Sequence, residues 1–128
     1  MAKKVLLIDD QIMDVFLTRQ ALVDCKVAHD IVAAFDGFEG LTQLGTREFD
    51  VIVLDLKMPR VDGFEVLSAL RLQPALAAIP VIVVSSSDLQ ADRDRAHALG
   101  AVEYVVKSMD YAEFKTGLKA ALGRHGFC

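Results

Sequence analysis

Five short apolar runs, each closed by a polar residue, constrain this chain more than any other feature: Val5-Leu6-Leu7-Ile8, Asp30-Ile31-Val32-Ala33-Ala34-Phe35, Val51-Ile52-Val53-Leu54, Pro80-Val81-Ile82-Val83-Val84 and Val102-Glu103-Tyr104-Val105-Val106. Most are continuous and β-branched, with no alternation of apolar and polar residues, which suits strands buried on both faces. Between them lie segments of helical spacing, marked by Ile12, Val15, Phe16 and Leu22, then Phe38, Leu41 and Leu44, then Phe64, Leu67 and Leu70, and last Phe114, Leu118, Ala121 and Leu122. Asp36, Asp62 and Asp110 each precede a glutamate by three residues (Glu39, Glu65, Glu113), the pattern of a helix start, while Gly45 and Gly100 suit helix ends. The stretch from Asp88 to Leu99 has only Leu89, Ala96 and Leu99 as an apolar stripe, so it predicts a largely exposed helix that starts at a Ser87 or Asp88 cap. Strand and helix therefore alternate five times, which predicts a parallel sheet covered on both faces through right-handed crossovers.

At 128 residues with 53% hydrophobic content, the chain has the size of one domain with a substantial core, and we expect a single domain over residues 1–128. The net charge of −4, with both signs interspersed, provides no basic stripe for a phosphate backbone, which argues against nucleic acid as a partner. Val5 to Ile8 is too short an apolar stretch for a signal peptide, and no run approaches a membrane span, so a cytoplasmic protein is expected. Cys25 and Cys128 stand in unrelated contexts, and reduced thiols are the expectation.

The functional signal lies in what ends the strands. Asp9 and Asp10 follow the first run, Asp55 the third, Ser85-Ser86-Ser87 the fourth and Lys107 the fifth. In a parallel sheet these groups meet on one edge, where open α/β sheets bind ligands. Clustered carboxylates repel one another unless a cation joins them, and an all-oxygen set without Cys or His suits a hard ion such as Mg²⁺. An aspartate can also act as a nucleophile toward phosphorus, with Lys107, the metal ion and the Ser85 hydroxyl neutralising the phosphoryl oxygens.

In this arrangement the sequence resembles the receiver domain of two-component response regulators, over practically its whole length. The resemblance is carried by Leu7-Ile8-Asp9-Asp10, Leu54-Asp55 with Met58-Pro59 and Asp62-Gly63, Pro80 to Ser85, Gly100-Ala101, and Tyr104-Val105-Val106-Lys107. It implies a flavodoxin-like, doubly wound (βα)5 three-layer sandwich with strand order 2-1-3-4-5. It further implies that Asp55 accepts a phosphoryl group from a sensor histidine kinase or histidine phosphotransfer protein, and that the chain catalyses only its own phosphorylation and dephosphorylation. Mg²⁺, or Mn²⁺ in its place, would be bound by Asp10, Asp55 and the backbone carbonyl of Lys57, with Asp9 acting mainly through water. Ser85 and Tyr104 stand at the family's switch positions and Lys107 at its invariant lysine. Output is expected through the fourth helix, fifth strand and fifth helix toward a protein target, and an attached effector domain is not expected. Lys57 and Ser87 flank the expected phosphoryl site and should tune its lifetime. Ser108 replaces the proline usual after the lysine, which leaves the geometry of the Lys107-Ser108 bond open.

Simpler readings compete for several of these residues. Asp9 and Asp10 can serve as helix caps, Asp62 is expected to be only a cap, Lys107 can be a solvated lysine and Tyr104 a core aromatic. Two alternatives stand for the whole chain: a phosphorylation-independent interaction module, or an aspartate-nucleophile phosphohydrolase or flavin carrier. Against the enzymes, Lys57 occupies the place of a second acid, and Asp9-Asp10-Gln11 would repel a bound phosphate.

Overall fold

In the computed structural model, which describes residues 2–128, five parallel strands form one sheet in the order β2-β1-β3-β4-β5. The strands are β1 (Lys3–Ile8), β2 (His29–Ala34), β3 (Val51–Asp55), β4 (Val81–Ser85) and β5 (Glu103–Val106). The helices are α1 (Ile12–Val23), α2 (Gly37–Thr46), α3 (Gly63–Arg71), a single turn α4 (Pro74–Ala77), α5 (Gln90–Ala98) and α6 (Tyr111–Arg124). Apart from the added turn α4, this is the expected five-fold alternation. The fourth and fifth helices of the sequence reading correspond to α5 and α6.

Because side chains alternate across a strand, the apolar runs supply both faces of the sheet at once. Leu6, Ile8, Ile52, Leu54, Val81 and Val83 pack with α2, α3 and α5, whereas Val5, Leu7, Val51, Val53, Ile82 and Val84 pack with α1 and α6. Asp36, Asp62 and Asp110 accept from the backbone N–H of Glu39, Glu65 and Glu113, capping α2, α3 and α6 as predicted. Gly100, at φ +106°, follows α5 in the left-handed region that favours glycine.

Several local expectations are corrected. Gly45 does not end α2, which continues to Thr46. α5 starts after Leu89 instead of Ser87 or Asp88, and α1 starts after Gln11, so the competing reading of Asp9 and Asp10 as its caps does not hold. α1 buries Val15, Thr18, Ala21 and Leu22, while Ile12 and Phe16 face solvent, as does Phe38 on α2. Helix rotation followed the packing partner, not the densest apolar stripe.

The expectation of reduced thiols is overturned, because Cys25 and Cys128 form a disulfide across a sequence separation of 103. Gly126, at φ +82°, turns the chain end back so that Phe127 is buried against the α1–α6 face, and this brings Cys128 to the end of α1. His29 sits beside the same junction, its ring nitrogens 3.1 Å from the Leu22 carbonyl and 2.8 Å from that of Phe127. No helix among the described residues is long and apolar enough to cross a membrane.

Candidate functional site

β1 and β3 are neighbours at the place where strand order reverses, so Asp9 and Asp55 leave the sheet side by side, next in chain to the paired Ile8 and Leu54. Asp9 is fully buried and Asp55 is 3% exposed. Asp9, Asp10 and Asp55 each offer an oxygen within 4.8 Å of the others. Backbone N–H groups offset part of this charge: that of Gln11 donates to Asp9 Oδ1 at 2.9 Å and that of Lys57 to Asp55 Oδ1 at 3.3 Å. Asp10 Oδ1 is buried and has no hydrogen-bond partner. A buried carboxylate oxygen left unpaired is costly, and a cation at the cluster would satisfy it. The three acids therefore fit a hard divalent ion by chemistry and by spacing.

The electrostatics agree. Burial, reinforced by the negative charge of Asp9, pushes the Asp55 carboxyl up to about 7, although Lys107 and the Lys57 N–H pull in the opposite direction. Burial also raises Asp9 above the usual carboxylate range, against the Gln11 hydrogen bond and Lys107. One lysine is too little positive charge for this group of acids, and a divalent ion would supply the remainder.

Lys107 leaves the end of β5, its backbone N–H donating to the Ser85 carbonyl at 2.7 Å. Its ammonium lies 2.8 Å from Asp14 Oδ2, 3.0 Å from Asp9 Oδ2 and 3.5 Å from Asp55 Oδ1. Burial would lower the pKa of this ammonium, but the Asp14 hydrogen bond and the charges of Asp55 and Asp9 outweigh it and leave the value raised. The lysine is thus an ion-paired part of the cluster, not a solvated one. Asp14 was missed in the sequence. Its place one helical turn beyond Asp10 on α1 was the available signal. The bond after Lys107 is trans, as are all peptide bonds among the described residues.

A second group lies beside the first. Ser85 ends β4, is fully buried, and accepts from the Ser87 N–H at 3.1 Å. Tyr104 is half-buried, packs against the core, and donates its hydroxyl to the Ser87 carbonyl at 2.8 Å, while the Arg93 guanidinium stands 4.9 Å from its ring centre. Ser87 Oγ donates to Asp92 Oδ2 at 2.6 Å, and the Lys57 ammonium is 3.5 Å from the same oxygen. Asp92, in the first turn of α5, is a further participant, on a helix expected to be largely exposed. Asp62 caps α3, its side chain accepting from the Glu65 N–H at 2.9 Å. The loop between β3 and α3 is tight, since a Cβ on Gly63 would sit 2.5 Å from the Asp55 carbonyl oxygen, and Arg60 adopts φ +65°.

The sequence model of the response regulator receiver domain family matches residues 5–119. Among curated proteins, the Bacillus subtilis alkaline phosphatase synthesis transcriptional regulatory protein PhoP is 34% identical over 124 residues, which cover 97% of this chain and 50% of PhoP. The chain thus spans about half the length of that relative. Among solved structures, the phosphorylated cyanobacterial phytochrome response regulator RcpA superposes with a TM-score of 0.86 at 31% identity, covering 95% of this chain and 92% of RcpA. The Mn²⁺-bound form of response regulator Rcp1 gives a TM-score of 0.85 at 26% identity, covering 94% of this chain and 92% of Rcp1.

Proposed function

This chain belongs to the response regulator receiver domain family of two-component signalling, and on that premise we propose that Asp55 is its phosphoacceptor. One observation carries the reading: a nearly buried carboxyl, raised to about 7 by its surroundings, stands 3.5 Å from a lysine ammonium at the reversal point of the sheet. An acid so placed has little structural use, but it is suited to chemistry in which positive charge is gathered around an anionic group.

In the proposed reaction an Asp55 carboxylate oxygen forms a bond to the phosphorus of a phosphohistidine on a sensor kinase or phosphotransfer protein. The N–P bond breaks and the imidazole leaves with its electron pair. Asp9, Asp10, Asp55 and the Lys57 carbonyl would hold Mg²⁺ or Mn²⁺, whose charge would neutralise both the carboxylates and the incoming phosphoryl oxygens. Lys107 supplies a second positive charge. Ser85, whose oxygen accepts from Ser87, keeps its hydroxyl hydrogen for a phosphoryl oxygen.

Ser85 and Tyr104 would carry the change outward. Both are tied to Ser87, so a move of the Ser85 hydroxyl toward Asp55 disturbs the loop that also holds the Tyr104 ring. The responding face is that of α5, β5 and α6, and the target is a protein, a population shift of a two-state element. Lys57 and Ser87 flank the acyl phosphate and tune its lifetime.

The test is direct. Acetyl phosphate with Mg²⁺ should add one phosphoryl mass to the intact chain, and Asp55→Asn should abolish the addition. A chain that gains no mass from this donor or from any histidine kinase contradicts the proposal and favours a phosphorylation-independent interaction module.

A further inference from the structure

Four consecutive contacts join Asp55 to Tyr104 without passing through the Ser85 hydroxyl. The Lys57 N–H donates to Asp55 Oδ1 at 3.3 Å, and the Lys57 ammonium stands 3.5 Å from Asp92 Oδ2. That same oxygen accepts the Ser87 hydroxyl at 2.6 Å, and the Ser87 carbonyl accepts the Tyr104 hydroxyl at 2.8 Å. One carboxylate oxygen on the first turn of α5 thus holds both side chains that flank the phosphoacceptor.

We infer that Asp92 is a positioning residue that restrains the Lys57 ammonium and the Ser87 hydroxyl beside Asp55, and so sets how fast water hydrolyses the acyl phosphate while tying that site to Tyr104. The inference rests on the receiver reading. Its sign follows from charge. The Asp92 side chain is only 17% exposed, whereas that of Lys57 is 57% exposed and has freedom to swing once released. Asp92 Oδ2 meets both an ammonium and a hydroxyl donor, the setting of an ordinary ionised carboxylate. While it is in place, the Lys57 ammonium and the Ser87 hydroxyl are engaged with the Asp92 carboxylate. Without its charge, the ammonium turns to the new dianion on Asp55 and occupies the approach that water uses.

Hydrolysis itself is a simple exchange. A water oxygen bonds to phosphorus, the Asp55 O–P bond breaks, and the carboxylate and inorganic phosphate are released with the water's protons going to phosphate and solvent. The competing role for Asp92 is structural, an acid placed favourably at the positive end of a helix. That role would alter stability but not the lifetime.

The experiment follows decay of the phosphorylated chain, loaded with acetyl phosphate and Mg²⁺ and then freed of donor, by intact mass. Asp92→Asn should lengthen the half-life by about twofold to fivefold, the range spanned by one partly exposed ion pair. Asp92→Glu should restore much of the wild-type rate, and the effect of Asp92→Asn should vanish in a Lys57→Met background. In the unphosphorylated, metal-free chain, Asp92→Ala should shift the Tyr104 ring resonances, while Asp94→Asn, on the same helix but bonded to Gln90, should not. An unchanged or shortened half-life in Asp92→Asn, or an equal effect with and without Lys57, overturns the inference while leaving the receiver reading intact. A wild-type chain that takes up no phosphoryl group overturns both.

Discussion

The Lys107 ammonium lies closer to Asp14, at 2.8 Å, than to Asp55, at 3.5 Å. The one ammonium beside Asp55 among the described ion pairs is therefore shared with a carboxylate on α1, and Asp55 receives only part of its charge. Substituting Lys107 with Met should raise the Asp55 pKa further above about 7, because the Lys107 charge acts to lower it. Titration of the carboxyl carbons by NMR in metal-free buffer reads this directly. Adding Mg²⁺ to the wild type should move the same pKa down, and an Asp55 titration insensitive to both changes contradicts the charge balance described here.

Stability should depend on pH through the same residue. A folded-state pKa of about 7 against an ordinary 3.8 means that the folded chain holds this proton more tightly than the unfolded one. The resulting stabilisation is complete below the ordinary value and is lost as pH rises through about 7. Asp55→Asn should therefore exceed the wild type in stability by on the order of 1–4 kcal/mol at pH 8 without metal. The difference should shrink toward pH 4. Urea unfolding of both chains across that window checks it, and a gap that widens on acidification refutes the assigned sign.

Reduction of the Cys25–Cys128 disulfide should destabilise the chain, because the bond closes a loop with a sequence separation of 103. Loop closure of about that length is worth roughly 4–5 kcal/mol in the chain-entropy view. Cys25→Ser, and the wild type in excess dithiothreitol, should show equally lowered denaturation midpoints. Identical midpoints with and without reductant would show that the bond does not form in solution.

Gly63→Ala should damage the site from behind. Its new Cβ would meet backbone at 2.5 Å from the Asp55 carbonyl oxygen and 2.6 Å from the Leu56 Cα, so α3 must move off the end of β3. A loss of about 1–3 kcal/mol is expected, together with weaker Mg²⁺ binding. Gly45→Ala is the matched control, since nothing lies within 4 Å of that Cβ and the residue is helical. It should stabilise the chain by about 0.5–1 kcal/mol.

Much of the architecture was legible along the chain, because the signals involved are local. A continuous β-branched run is buried on both faces wherever it sits, and Asp36, Asp62 and Asp110 cap helices through contacts three residues away. The grouping of Asp9, Asp55, Ser85 and Lys107 follows from the sequence, since parallel strands must end on a common edge. What the residues alone decided was thus the alternation of strand and helix and the rim on which the polar groups collect.

Only the tertiary structure decided how the helices turn and which distant groups meet. Ile12 and Phe16 point to solvent because α1 buries Val15, Ala21 and Leu22 against the sheet and α6, a choice that no stripe of apolar residues on one helix can reveal. Asp14 reaches Lys107 from 93 residues away, Cys25 reaches Cys128, and Asp92 gathers Lys57 and Ser87 from two different loops. Such pairings depend on the relative placement of whole elements, which is set by packing summed over the entire core. For that reason short-range patterns in the chain carry no record of them.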